Sequence, residues 1–342
     1  MPVGRWHFAV PALHTGDHHA PEGKMMRLCA YDAVLMGSPV QLKLAGHDEK
    51  LAANVFRLIK QQENLFTVNR SPSEVMAVNQ AAGKQPVAVS APVFALIKRA
   101  REVSLLPESC FNFAIGPLVK RWKIGFQGDS VPPAEEINAL LALTDPACVV
   151  LDERQQTVFL TRPGMEIDLG AIAKGYIADR VRDYLLQQGC DCGLINLGGN
   201  VQTLNAPEGQ QAWAVGLKVP FSSPEALIGT VSVSNRSVVT SGIYERYFEQ
   251  HGRLYHHILN PRTGYPLDNE LLSVTVIADN STDCDIFTTL LYGMGVEKGL
   301  AYLAAYPQIE AIFVTKDRQV VLSAPLQFQQ LDERYTVTDS TA

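Results

Sequence analysis

Two stretches of this sequence join residue types that can carry acid, base or metal chemistry. His256 and His257 lie just before a rigid Asn-Pro-Arg-Thr-Gly turn, in HHILNPRTGYP (256–266). An imidazole held in place suits proton transfer near neutral pH, and if the pair is extended its side chains point to opposite faces, so only one need be chemical. The bland alternative is a packed histidine beside a tight turn. In ADNSTDCDIFTTLLYGMG (278–295), Asp285 and Thr289 are four apart. On a helix they share a face and offer one hard carboxylate and one hydroxyl to an oxygen-loving cation such as Mg²⁺. Alone, an Asp-x-x-x-Thr carries little information. Asp279 and Asp283 read as loop or cap residues.

Three further segments could meet an anion. In DLGAIAKGYIADRVRDYLL (168–186), Gly170 permits close backbone approach and Lys174 sits in the opening turns of a helix, where free N–H groups, the dipole and an ammonium favour negative charge. Read blandly, it is a turn and an amphipathic helix with a solvated lysine. The glycine pair in NLGGN (196–200) could curl backbone amides into a nest for phosphate oxygens, or simply turn the chain. TSGIYER (240–246) puts two hydroxyls and a glycine at a strand end, for a phosphate or ribose or for a turn.

Around these residues the chain interleaves strand and helix patterns without repeats. Residues 1–27 read as a loose leader in which His14, His18 and His19 are solvated. Val40–Leu44 alternates like a strand, and Asp48 can cap a helix with Leu51, Val55, Leu58 and Ile59 on one face. Further helices are expected after Ser90, with Pro92 in the first turn, after Pro132–Pro133, and over 172–188 and 285–291. Two hairpins are expected, over 148–160 and 312–322, with more strands over 212–219, 230–233, 237–240 and 272–278. Hairpins mixed with helices imply an α+β fold of mixed, largely antiparallel sheets.

The chain has 342 residues, 46% hydrophobic and 19% charged, with a net charge of −6. It therefore has ample material for a core, and its acidity argues against a general nucleic-acid binder. No run approaches the roughly 20 apolar residues that span a bilayer. The N-terminal segment lacks a secretory pattern, so a cytoplasmic location is expected. The six cysteines do not form a disulfide framework, and Cys190-Asp191-Cys192 reads as packing rather than a zinc site.

Taken together and in order, MGS (36–38), SEVMAVN (73–79), GPLVKRW (116–122), DLGAIAKGY, NLGGN, TSGIYER, HHILNPRTGYP and the Asp285–Thr289 pair resemble the FAD:protein FMN transferases, or ApbE-like proteins, over about residues 28–315. The resemblance implies a T-fold-related arrangement, with a single domain over 28–330 and a polar tail over 331–342. It also implies transfer of the FMN half of FAD to a threonine or serine of a partner flavoprotein, for instance a reductase, with Mg²⁺ and release of AMP. Carried over motif by motif, it puts the metal on the Ala171 carbonyl, Asp285 and Thr289, and makes His257 the catalytic histidine. FAD contacts fall on Met36, Asp168, Lys174 and the Cys110-Phe111-Asn112 segment, with secondary contacts at Leu259 and Thr288. Asn69 stands where the family often has an aromatic residue, and Asn112 where it usually has an acid. These two departures leave two alternatives: an FAD pyrophosphatase with water as acceptor, and a flavin-binding protein without turnover.

Overall fold

The computed structural model describes residues 27–70 and 72–340; the leader and its histidines, up to residue 26, lie outside them. The framework is a nine-stranded sheet whose spatial order is the order of the chain: Leu28–Leu35, Ser38–Ala45, Gly193–Leu197, Asn200–Leu204, Ser237–Gly242, Leu271–Ala278, Glu310–Thr315, Gln319–Leu322 and Thr336–Asp339. Every neighbouring pair is antiparallel except the last, where Thr336–Asp339 runs parallel to Gln319–Leu322. The 331–342 stretch is thus no tail as far as Asp339. Buried Tyr335 anchors it and the strand completes the sheet edge.

Period-2 alternation sorts the two faces. Val274, Val276, Ala278, Ala311 and Phe313 enter a core shared with the helices, while Ile277, Ile312 and Val314 face the other way. There they meet Leu217, Ile228, Val231 and Val233 of a small sheet formed by Phe328–Gln330, Leu227–Val233 and Trp213–Lys218. The result is α+β and mostly antiparallel, as the pattern implied.

The expected helices form at Glu49–Phe66, Ala91–Ser104, Ala134–Leu141 and Ala173–Gln187. Asp48 caps the first by accepting the Leu51 N–H at 2.8 Å. The last helix is longer than expected, Ser281–Leu303 rather than 285–291, because Asn280 caps it through the Asp283 N–H. It also continues past Gly293 and through a break at Gly295, whose φ of 79° is not helical. Strand Leu28–Leu35 lay hidden against the leader. Leu28–Leu35 joins Ser38–Ala45 through a two-residue turn, with Met36 and Gly37 both at positive φ (53° and 67°), the geometry that a tight hairpin demands.

A smaller cluster holds the histidine segment. Trp122 packs on Tyr255, Phe248 and Tyr265, and donates its indole N–H to the Gly264 carbonyl at 2.8 Å. Among the described residues no helix is long and apolar enough to cross a membrane.

Candidate active site

Asp285 is buried, at 9% exposure, in the first turns of the Ser281–Leu303 helix. Its Oδ2 accepts the Gly175 N–H at 2.6 Å and its Oδ1 accepts the Asn200 amide N–H at 3.0 Å. The Ala173–Gln187 helix has no side-chain cap of its own, so a carboxylate from 110 residues away serves its positive end. A side chain at position 175 would prevent this, since a Cβ there would lie 2.3 Å from the Ser281 carbonyl oxygen and 2.8 Å from Asp285 Oδ2. Burial pushes the Asp285 carboxyl up to about 7, against the pull of those two donors and of Lys174.

Two of the expected metal donors share one helix, and the third precedes the helix whose Gly175 N–H Asp285 holds. Thr289 lies one turn beyond Asp285 on the same helix, half-buried, its hydroxyl 3.5 Å from the Asp285 carbonyl oxygen. Ala171 is exposed just before the Ala173–Gln187 helix, and the N–H that a continued helix would send to its carbonyl, that of Gly175, is committed to Asp285. Among the described residues no three His, Cys, Asp or Glu side chains form a metal-holding group. The expected set needs only one carboxylate beside two neutral oxygens, a composition that fits Mg²⁺ completed by diphosphate and water. Thr288 is committed elsewhere: it donates to the Asp285 carbonyl at 2.9 Å and accepts from Ser241 at 2.9 Å.

Lys174 acts on this carboxylate. Lys174 Nζ is 3.2 Å from Ser38 Oγ of the MGS turn and 3.2 Å from where a Gly198 Cβ would sit. Burial and then Arg246 lower its pKa, while Asp285 and Glu245 raise it. The NLGGN segment is a hairpin turn rather than an open amide nest. Gly198 donates its N–H to the Pro39 carbonyl and Gly199 to Asn196 Oδ1, so the turn locks onto the MGS strand and spends those amides internally. Asp168 is tied by the Gly170 N–H at 2.7 Å, and burial raises its pKa against the field of Arg246. The SEVMAVN motif supports this segment: Ser73 caps its helix, and the Asn79 amide makes two bonds to the backbone of Ile167.

The two histidines divide the roles. Buried His256 donates from Nε2 to the Leu267 carbonyl at 2.7 Å and accepts the Ile258 N–H on Nδ1 at 3.2 Å, a purely structural placement. His257 is half-buried. Its Nδ1 bonds the Arg246 carbonyl at 3.2 Å, which puts the proton on Nδ1 and leaves Nε2 as a base. Burial and then Arg246 push its pKa down to about 3.

The remaining expected residues fall in several places. Met36 is half-buried in its left-handed turn, and Asn69 is exposed after the first helix. Cys110 and Phe111 are core residues at 8% and 1% exposure, and Asn112 spends its amide on the Thr144 carbonyl and the Ala114 N–H. Leu259 packs under Trp122. Motif spacing did not single out Arg246 or Asn200. Their roles come from contacts across the fold, although both end motifs that it flagged.

An antiparallel sheet backed by helices, carrying a buried carboxylate, cationic side chains and an oriented imidazole, is a framework suited to group transfer. A sequence model described as the ApbE family matches residues 36–313, and the chain belongs to that family. It is a transferase. The FAD:protein FMN transferase of Klebsiella pneumoniae (strain 342) is 60% identical over 92% of this chain and 99% of its own. The ApbE protein of Thermotoga maritima MSB8 superposes with a TM-score of 0.77 at 27% identity, covering 90% of this chain and 97% of that one. The flavin transferase ApbE of Vibrio cholerae does so at 0.76 and 28%, covering 89% and 96%.

Proposed function

We propose that the protein transfers the FMN moiety of FAD to a threonine or serine hydroxyl of a partner flavoprotein in the cytoplasm, with Mg²⁺, and releases AMP. The observation that carries this reading is that His257 is oriented through Nδ1 by the Arg246 carbonyl, while buried Asp285 holds the N–H of Gly175, the residue after Lys174.

Lys174 and Arg246 form a positive field that draws in a diphosphate and holds its oxygens. Mg²⁺ held by the Asp285 carboxylate, the Thr289 hydroxyl and the Ala171 carbonyl would supply Lewis-acid withdrawal of charge from that diphosphate. His257 Nε2 takes the proton of the acceptor hydroxyl, whose oxygen attacks the FMN phosphorus in line; the P–O bond to AMP breaks and AMP leaves with the electron pair. The Arg246 carbonyl keeps the imidazole in the tautomer this requires. Bound diphosphate offsets the fields of Arg246 and Lys174, which add to burial in lowering the His257 pKa, so the base gains strength when substrate is present.

The test is incubation with FAD, Mg²⁺ and a threonine-bearing acceptor, followed by mass spectrometry and nucleotide analysis. Acceptor gaining one FMN, with matching AMP, is expected. Equal AMP release without acceptor would replace the reading by FAD hydrolysis, and retained FAD with no AMP by a flavin carrier.

A further inference from the structure

We propose that Asp179, which touches neither carboxylate oxygen of Asp285, is the positioning residue that aims Asp285. Two helices exchange carboxylates at their N-termini. Asp179, on the Ala173–Gln187 helix, accepts the Ser281 N–H on Oδ1 at 2.7 Å, and on Oδ2 the Thr282 N–H at 2.9 Å and the Thr282 hydroxyl at 2.6 Å. Asp285, on the Ser281–Leu303 helix, returns the arrangement by accepting the Gly175 N–H.

The spacing closes a ring. Asp179 is four residues beyond Gly175, and Asp285 is four beyond Ser281, so two opposite sides of the ring are each about one helical turn and the other two are hydrogen bonds. The corners are the two carboxylates and the two backbone N–H groups they hold. No corner can shift without stretching a hydrogen bond or driving Gly175 into the Ser281 carbonyl. Arg182 braces Asp179 from its outer side, at 3.2 Å.

Ser281 also works on the second oxygen. Its hydroxyl donates to Asn200 Oδ1 at 2.6 Å, which turns the Asn200 N–H toward Asp285 Oδ1. The Ser237 hydroxyl stands 2.5 Å behind Ser281. Both donors that orient Asp285 therefore depend on where Ser281 sits, and Asp179 holds the Ser281 backbone. Groups that orient a ligand carboxylate in this way typically alter cation affinity about ten- to a hundredfold.

The cation part of this inference rests on the proposed function; the aiming of Asp285 does not. The test compares wild type, Asp179→Asn and the milder Thr282→Val. Amide hydrogen exchange is followed at Gly175 and along Leu271–Ala278, and Mg²⁺ is titrated by calorimetry with FAD present. Gly175 exchange should quicken about tenfold or more in Asp179→Asn and less in Thr282→Val, with the strand amides unchanged. The Mg²⁺ dissociation constant should rise about tenfold, with turnover at saturating Mg²⁺ largely kept. Unchanged Gly175 exchange in both variants overturns the inference. A wild type that binds no Mg²⁺ overturns the cation reading instead, and the exchange data still decide the role of Asp179.

Discussion

The two adjacent histidines are chemically alike and differ in everything around them. On the proposed mechanism His257 Nε2 is the base, so His257→Ala should bind FAD near wild-type affinity, measured by flavin fluorescence, while single-turnover transfer falls about 10²- to 10⁴-fold. Arg246→Gln removes a positive charge beside that imidazole, so NMR titration of the free protein should find the His257 pKa raised from about 3. His256 gives the molecule an acid limit. Burial holds its pKa at about 4 against an ordinary 6.5, and its Nδ1 already accepts an N–H. Below pH 6.5 the unfolded chain takes up a proton that the folded chain refuses. The stability due to neutral His256 is therefore complete above pH 6.5 and is lost as pH falls toward 4, at up to about 1.4 kcal/mol per pH unit. Urea midpoints measured from pH 7.5 to 4.5 should fall accordingly, and His256→Asn should lessen that slope, leaving the share that His257, also held neutral by burial, contributes. That the pair would be split between two environments was legible from adjacent residues beside a rigid turn, and His256 is the one bonded to backbone on both ring nitrogens. The roles of Arg246 and Asn200 were not legible, because the Arg246 carbonyl bonds His257 eleven residues on and Asn200 meets Asp285 eighty-five residues on.

At the level of elements, helix starts were the most legible because their signals are local. Asp48, Ser90 with Pro92, and Pro133 each lie directly before a helix. The last helix was read short because Ser281, Thr282 and Asp283 look like loop residues until Asn280 and Asp179 hold their N–H groups, and Gly293 and Gly295 look like an end. The hairpin Gly193–Leu197 with Asn200–Leu204 was hidden because its glycine turn also resembled a phosphate loop. Gly175 gives the sharpest test of how the helices meet. Alanine is a better helix former by about 1 kcal/mol, yet its Cβ would lie 2.3 Å from the Ser281 carbonyl oxygen. Gly175→Ala should therefore lose about 1–3 kcal/mol despite the better propensity, with thermal unfolding as the measure, and should lose Mg²⁺-dependent transfer with it.

Across the whole molecule, the α+β class was legible from hairpin signals, whereas the nine-strand order was not, since pairing partners are chosen by packing against both faces. The site draws on the sheet, on the helices behind it, and on the aromatic cluster around Trp122. Trp122 is distant in sequence from His257, but it grips the Gly264 carbonyl of the turn that follows that histidine. Trp122→Phe removes this bond and should cost about 1–3 kcal/mol; it should slow transfer more than it weakens FAD binding, as stopped-flow fluorescence and acceptor labelling would show. The sheet's agreement between spatial and chain order bears on the protein's synthesis. Each new strand can settle on the one made just before it as the polypeptide leaves the ribosome, at about 5–20 residues per second. Asp285 and Thr289 emerge near the end of that sequence, so an unfinished chain carries Lys174 and His257 without the carboxylate. On the proposed mechanism, nascent protein assembles most of its scaffold before it can act on FAD.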